Sequence, residues 1–545
     1  PGTYTVTYNV TDENGNNAIE VTRTVTVNAP TSNNNGSSFP SLPGAIAPVI
    51  TLTGDATVYV EKDYTYTESM GLSLNVIPAI IFVCAAAIVV LKPVAVLLSK
   101  IGTNKEITEI KQILGLEHGK EYIEQDVKTK LRYGKILFMT DQDLDGSHIK
   151  GLGLNLFESL WPSLVKIKNF IGYMNTPILK AKKGNQTHQF YNEGEFEEWK
   201  KTNNPKNWSI KYYKGLGTST GKEFKEYFEH KKIVSFKSTG EDSSSKIDMV
   251  FNKKRSDDRK EWLSTYKRDS YIDTANHDVT YENFIDKELI HFSTYDNERS
   301  IPNLMDGLKI SLRKILYSAF KKNLNSEIKV AQFSGYVSEH SGYHHGEASL
   351  NAAIVGLAQD FVGSNNINLL SPKGQFGTRL MGGKDSASER YIFTELNNPL
   401  ARLIFRKSDD NILEYLQDDG QSIEPIYYVP IIPMILVNGG KGIGTGFSSD
   451  IMCYNPIQII NKLELMLKGK EHDIDIEPYY KNFKGTIEYI GSKKYLIKGK
   501  YKVIDTNKIE ITELPIGTWT QDYKEYIESL IDNKNKKEKS LIKDY

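Results

Sequence analysis

Cysteine is nearly missing from this chain of 545 residues: only Cys84 and Cys453 occur, far apart. They support neither a disulfide framework nor a cysteine-based zinc site. Net charge is missing too. The 68 basic side chains balance 68 acidic ones, so bulk electrostatics select no partner. Any nucleic-acid surface must come from local clustering. No initiator methionine and no signal peptide open the chain, and its start at Pro1 suggests a piece of a longer product. The length leaves room for about three or four domains.

What is present changes character along the chain. Tyr4, Val6, Tyr8 and Val10 alternate with polar residues, and Ile19, Val21, Val25 and Val27 repeat the pattern across the turn Asp12-Glu13-Asn14-Gly15-Asn16. This predicts a β-hairpin of sandwich type. Residues 48–68 read as further strands, beyond a Ser/Asn/Gly/Pro linker from Asn33 to Gly44. Gly71 to Leu91 carries no charge and is long enough to cross a bilayer. Pro78 and Pro93 weaken it as a helix, and Lys92 and Lys100 would place its C-terminal side in the cytoplasm. A buried core segment, or a join between unrelated coding regions, is the alternative reading of the run.

From Ile101 the pattern is α/β. An apolar strand, Lys135–Thr140, ends in Asp141-Gln-Asp143-Leu-Asp145-Gly and leads into a helix with Ile149, Leu152, Leu156, Phe157 and Leu160. Ligands sit at the carboxyl ends of such strands. The acidic run opens like a calcium loop, but its twelfth position is Leu152 rather than glutamate, which excludes that reading. Magnesium held by a few carboxylates and a substrate phosphate fits better, against a plain solvated acidic turn. Residues 211–222 contain a glycine-rich stretch beside Lys214 and Lys222, but its spacing is not that of a P-loop. Lys222 to Lys267 reads as charged helix with a solvated face.

Farther on, Lys309, Arg313 and Lys314 share one amphipathic stretch. Tyr343-His344-His345-Gly346 suits phosphate contacts better than zinc. Gln375 to Leu396 places Tyr391 directly after Arg390, behind small and flexible residues. A phenol titrates near pH ~10 and attacks only where its oxyanion is stabilised, which an adjacent guanidinium can do while holding a phosphate. The alternative is an ordinary tyrosine, one of 32. An apolar run from Tyr427 ends in Asn438-Gly-Gly-Lys-Gly-Ile443-Gly-Thr-Gly, and Ile443 reads either as part of a self-packed turn or as a wedge between base steps. From Ile474 three strand-like stretches predict a sheet.

Long motifs then line up in one order: LRYGKILFMTDQDLDGSHIKGL, YYKGLGTSTGKEFKEYF, DDRKEWL, NERSIPNLMDGLK, GYHHGEASL, FVGSNNINLLSPKGQFGTRLMGGKDSASERYIFT, PIIPMILVNGGKGIGTG and YKNFKGTIE. With these motifs the chain closely resembles the eukaryotic and viral type IIA DNA topoisomerases from about Ile101 to Tyr545. The first 70 residues resemble bacterial Ig-like surface repeats. The resemblance implies a multidomain α/β and α+β chain. Ig-like β-hairpins would fill 1–70, a hydrophobic segment 71–100, a partial Toprim domain 101–245 and linker helices 246–282. A winged-helix domain would follow over 283–448, and an incomplete tower domain over 449–545.

The resemblance further implies Tyr391 as nucleophile with Arg390 as partner, and Asp141, Asp143 and Asp145 as metal-binding acids for Mg2+. It places Lys214, Lys309, Arg313, Lys314, His344, His345, Gln375, Arg379 and Ile443 at DNA. Double-stranded DNA, a homodimer, a DNA-associated location (nucleus, or a viral or cytoplasmic DNA compartment) and ATP for the full-length family follow from it. Two departures stand out. No Glu-Gly-Asp-Ser stretch precedes Asp141, so cleavage is expected to be impaired. Ile310-Ser311-Leu312 also stand where the family has Pro-Gly-Gln. The competing readings are a membrane-anchored Ig-like surface protein and a DNA-binding chain without catalysis.

Overall fold

A computed structural model of the chain describes the backbone of strands at residues 2–8, 21–27, 50–51 and 57–58. It describes residues 104–213, 215–418, 421–470, 476–531, 542 and 544–545 in full. Gly2–Tyr8 pairs antiparallel with Val21–Val27, Tyr4 opposite Val25, as the alternation predicts. The apolar run 71–91 lies outside the described residues, and no described helix is long and apolar enough to cross a membrane.

The first core forms around a four-stranded sheet ordered Asp278–Thr280, Ile233–Lys237, Ile171–Met174, Ile136–Phe138. Ile136–Phe138 runs parallel to Ile171–Met174, which is antiparallel to Ile233–Lys237. Against the sheet lies the helix Leu144–Leu160, which buries Leu152, Leu154, Leu156 and Phe157. Each such side chain contributes roughly 1.5–3 kcal/mol on leaving water. At Gly153 an added Cβ would stand 2.5 Å from the Phe138 ring, so only glycine lets the helix approach this closely. A smaller three-stranded sheet, Gln186–Phe190, Leu179–Lys183 and Ser209–Tyr212, packs Phe190 and Phe196 into a satellite core.

Two expectations change here. Ile233–Lys237 lies within the stretch that its charges assign to a solvated helical face, yet Val234 and Phe236 are each 2% exposed at the middle of the sheet. The expected linker 246–282 is not a linker, because Ile247, Met249, Trp262, Val279 and Tyr281 all enter the first core.

The second core gathers three helices, Ile310–Lys322, Val330–Ser341 and Glu347–Ala358. A small antiparallel sheet of Ile328–Lys329, Phe393–Leu396 and Leu370–Lys373 joins them. Ile459 of the helix Pro456–Leu467 enters this core as well, so packing does not break at residue 449. The C-terminal strands form two separate hairpins rather than one sheet: Thr486–Gly491 with Lys494–Lys498, and Lys500–Asp505 with Lys508–Glu513. In the first turn Ser492 and Lys493 take φ of 50° and 58°, the paired positive values of a tight two-residue hairpin.

Candidate active site

The acidic turn sits where the strand Ile136–Phe138 gives way to the helix Leu144–Leu160. Asp143 caps that helix, its Oδ1 accepting from the Gly146 N–H at 2.7 Å. A Cβ on Gly146 would fall 1.8 Å from the Asp141 carbonyl oxygen, so the run must close on glycine. Asp141 Oδ1 accepts from the Leu216 N–H at 2.5 Å, and a Cβ on Gly215 would stand 3.2 Å from the same carboxylate. The glycine-rich stretch after Tyr213 is thus a clasp on Asp141. Asp145 accepts from both terminal nitrogens of Arg299, at 2.8 and 3.0 Å.

The three aspartates therefore have different partners. Burial, reinforced by Asp145 and Asp141, raises the Asp143 pKa against the Gly146 N–H that lowers it. A divalent cation would relieve that mutual repulsion, so Asp141 and Asp143 fit one, whereas Asp145 already has a cation beside it. Among the described residues no three His, Cys, Asp or Glu side chains converge as a ready-made metal cluster. Magnesium requires only one or two carboxylates when phosphate completes its shell.

Tyr391 hangs from the second core. It precedes the strand Phe393–Leu396, is 67% exposed, and carries the Arg390 guanidinium 5.0 Å from its ring centroid. The loop before it is held from within. Asp385 accepts from the Thr378 N–H at 2.8 Å and its hydroxyl at 2.6 Å, which lowers the Asp385 pKa. Gln359 Nε2 donates to the Phe376 carbonyl at 2.9 Å. Tyr391 and the aspartates belong to different cores, and no described contact joins them.

Ile443 ends the strand Gly440–Ile443, paired with Ser448–Ile451. It is 57% exposed, so the alternative of a turn packed on its own core does not hold for this side chain. The glycines serve a close approach to the chain itself. A Cβ on Gly442 would lie 2.2 Å from the Ser300 carbonyl oxygen, and one on Gly444 would lie 2.1 Å from Asn297 Oδ1.

The expected DNA-contacting residues divide. Arg313 is buried, with Nε 2.6 Å from Asp306 Oδ2 and another nitrogen donating to the Leu308 carbonyl at 3.1 Å, so it ties the helix to its preceding loop instead of meeting phosphate. Lys314 Nζ lies 2.8 Å from the buried Glu424 and also donates to the Ser341 carbonyl. Arg379 turns to Glu513 and donates to the Leu514 carbonyl at 2.6 Å. These three are corrections, since each cation is already spent on an internal acceptor. Lys309 is half-buried, and burial lowers its pKa. His345 Nε2 lies 3.1 Å from the Tyr295 hydroxyl, and burial lowers its pKa against the pull of Asp145. His344 lies 3.3 Å from Asp418, and Gln375 is exposed. Lys214 lies outside the described residues.

Two family models match along the chain: the C-terminal associated domain of TOPRIM over residues 174–297, and the A-type subunit of DNA gyrase/topoisomerase IV over 299–545. The DNA topoisomerase 2-alpha of Rattus norvegicus is 51% identical over 458 residues, covering 81% of this chain. The chain belongs to the type II DNA topoisomerase family. The DNA topoisomerase 2 of Plasmodium falciparum (isolate K1 / Thailand) is 52% identical over 447 residues, again 81% of this chain. The chain spans 30% and 31% of the lengths of these two relatives. A crystal structure of the Plasmodium falciparum topoisomerase II DNA-binding, cleavage and re-ligation domain matches with TM-score 0.67 and 51% identity, over 82% of this chain and 60% of that one.

Arg299 is a residue beside the acidic turn that sequence reasoning leaves unassigned. It stands within NERSIPNLMDGLK, and no local pattern shows that it reaches a carboxylate 154 residues earlier.

Proposed function

We propose that this chain carries the breakage and reunion of double-stranded DNA. The observation that carries the reading is the exposed Tyr391 with the Arg390 guanidinium beside its ring. Tyr391 Oη attacks a backbone phosphorus, the bond to the 3′ oxygen breaks, and a 5′-phosphotyrosyl link forms. The phenolic proton ends on the departing 3′-hydroxyl, and reversal reseals the strand. Arg390 stabilises the phenolate and the phosphate together. Magnesium, held by Asp141 and Asp143 with the phosphate, would supply positive charge at the reacting group. The number of phosphodiester bonds is conserved, so the exchange itself needs no ATP, whose use belongs to the whole-length family protein.

Placement of the nucleophile and the aspartates on separate cores supports a homodimer in which the acidic turn of one chain serves the tyrosine of the other. The three helices and small sheet of the second core support the winged-helix reading, and the first core supports the Toprim one. The N-terminal hairpin supports an Ig-like reading of residues 1–70. With DNA as substrate, the protein resides where DNA is, in the nucleus or in a viral or cytoplasmic compartment.

A second reading, DNA binding without cleavage, rests on the departure before Asp141, where no Glu-Gly-Asp-Ser stretch stands. One assay separates the two: end-labelled duplex, magnesium, detergent trapping and Tyr391→Phe. The expected outcome is a covalent adduct with the parent chain and none with Tyr391→Phe, at equal noncovalent affinity. Adducts of equal yield in both would remove Tyr391 from its role, and adducts in neither would favour the second reading.

A further inference from the structure

The loop Gln375–Arg390, which presents Tyr391, is not held by its own core alone. Chain from beyond the two C-terminal hairpins returns to it. The Gln521 N–H donates to the Leu380 carbonyl at 2.9 Å. Arg379 reaches Glu513 and the Leu514 carbonyl. Glu513, only 8% exposed, also accepts from the Lys484 N–H at 3.0 Å, which fixes its carboxylate.

Between these contacts stands Trp519. A Cβ on Gly382 would lie 2.3 Å from Trp519 Cε2, so the indole lies directly on the loop backbone where Gly382 turns with φ of +61°. The other edge of the ring meets Phe361 at 5.9 Å between centroids, nearly perpendicular, and approaches Gly363. On another side, the loop residues Gly382, Gly383, Lys384, Ser386, Ala387 and Glu389 line an open cavity of about 590 Å³. The loop therefore has free space on one side and the indole on another.

We infer that Trp519, with the Arg379–Glu513 pair, is a positioning device that seats the Gln375–Arg390 loop and so aims Tyr391 at its phosphate. The inference rests on the reading of Tyr391 as nucleophile. It makes residues 513–521, which are remote in sequence from the reacting atoms, part of the cleavage machinery. It also gives Arg379 a role other than DNA contact. Indole contact suits this task because a rigid, flat side chain covers a glycine turn at little entropic cost. A misplacement of about 1 Å at a reacting group can cost on the order of 100-fold in rate.

The test uses the full chain with Trp519→Ala and Trp519→Phe. One readout is the single-turnover rate of adduct formation on a pre-nicked duplex. A second is noncovalent affinity for the same duplex. A third, independent of the chemistry, is the rate of tryptic cutting after Lys384. Trp519→Ala is expected to slow adduct formation by about 10- to 100-fold, leave affinity within about twofold, and speed cutting after Lys384 severalfold. Trp519→Phe restores most of both rates, because it keeps an aromatic face on Gly382. If Trp519→Ala proves too unstable to assay, Arg379→Gln carries the same expectation from the other end of the clamp. Unchanged cutting and an unchanged adduct rate in the alanine variant would overturn the inference while leaving Tyr391 as nucleophile. Absence of adducts from the parent chain would instead overturn the reading on which it rests. Accelerated cutting with an unaltered adduct rate would show a merely structural role and also overturn the inference.

Discussion

Arg299 and Asp145 form a bidentate ion pair at 2.8 and 3.0 Å across 154 residues of chain. The same guanidinium lies 3.5 Å from Asp296 and packs 5.3 and 5.1 Å from the ring centroids of Phe292 and Tyr295. Asp296 in turn receives the Thr445 hydroxyl at 3.3 Å, and Asn297 donates to the Thr445 carbonyl at 3.0 Å. One helix end thus touches both the acidic turn and the hairpin that carries Ile443.

Removing the arginine frees an acid beside the expected metal position. Arg299→Gln is expected to tighten magnesium binding about two- to fivefold, the scale of a partly exposed ion pair. Isothermal titration of the DNA-free chain measures it. Weaker binding in the variant would mean that the arginine orients the turn rather than competing for it.

Ile443→Ala addresses an exposed tip, not a core. Unfolding free energy is expected to stay within about 0.5 kcal/mol of the parent value. Duplex bending, read by energy transfer between labelled ends, is expected to fall while affinity holds, because lysine and arginine contacts to phosphate dominate affinity. An unchanged bend angle would exclude a wedge at this position.

Arg313→Met leaves Asp306 fully buried without its cation, although Asp306 keeps the Leu308 and Tyr428 N–H groups at 2.9 and 3.0 Å. Breaking such a pair costs about 3–5 kcal/mol. Thermal unfolding is expected to come roughly 10 °C earlier. The salt dependence of DNA binding by the folded protein should be unaltered. A shallower salt slope, with stability intact, would return Arg313 to the DNA surface.

His148 gives the chain an acid-sensitive point. Its ring stacks on Phe292 at 4.0 Å between centroids, and burial, with Arg299 adding and Asp145 opposing, pushes its pKa down from 6.5 to about 4. The unfolded chain then binds the proton first. The contribution to stability is complete above pH 6.5 and drains away as pH falls toward about 4. Melting curves across that window should fall more steeply for the parent chain than for His148→Phe, and parallel curves would rule out this histidine as the cause.

Legibility from sequence followed the range of each interaction. The strand, acidic turn and helix around Asp143 are written within about thirty residues, because an apolar run, alternate carboxylates and helical spacing are all local signals. Tyr391 stands out among 32 tyrosines only through Arg390 and the motif around it. The Ile233–Lys237 strand was hidden by charged neighbours, since pattern reading averages over a window that packing ignores. Arg313, Lys314 and Arg379 read as basic surface because Asp306, Glu424 and Glu513 meet them only after folding. Trp519 and Gly382 are 137 residues apart, and neither predicts the other.

Placement of Tyr391 and the acidic turn on separate cores sets the arithmetic of mixed assemblies. Take one chain with Tyr391→Phe and another with Asp143→Ala, joined in the two-chain arrangement proposed above. If the halves of each reaction centre come from different chains, both lesions fall in one centre and the other is untouched. Such a mixture would cut a single strand where either variant alone cuts none. A centre drawn wholly from one chain would leave every pairing silent. In that arrangement two inactive preparations would combine into a nicking enzyme, and genetic complementation would measure which chain supplies which half.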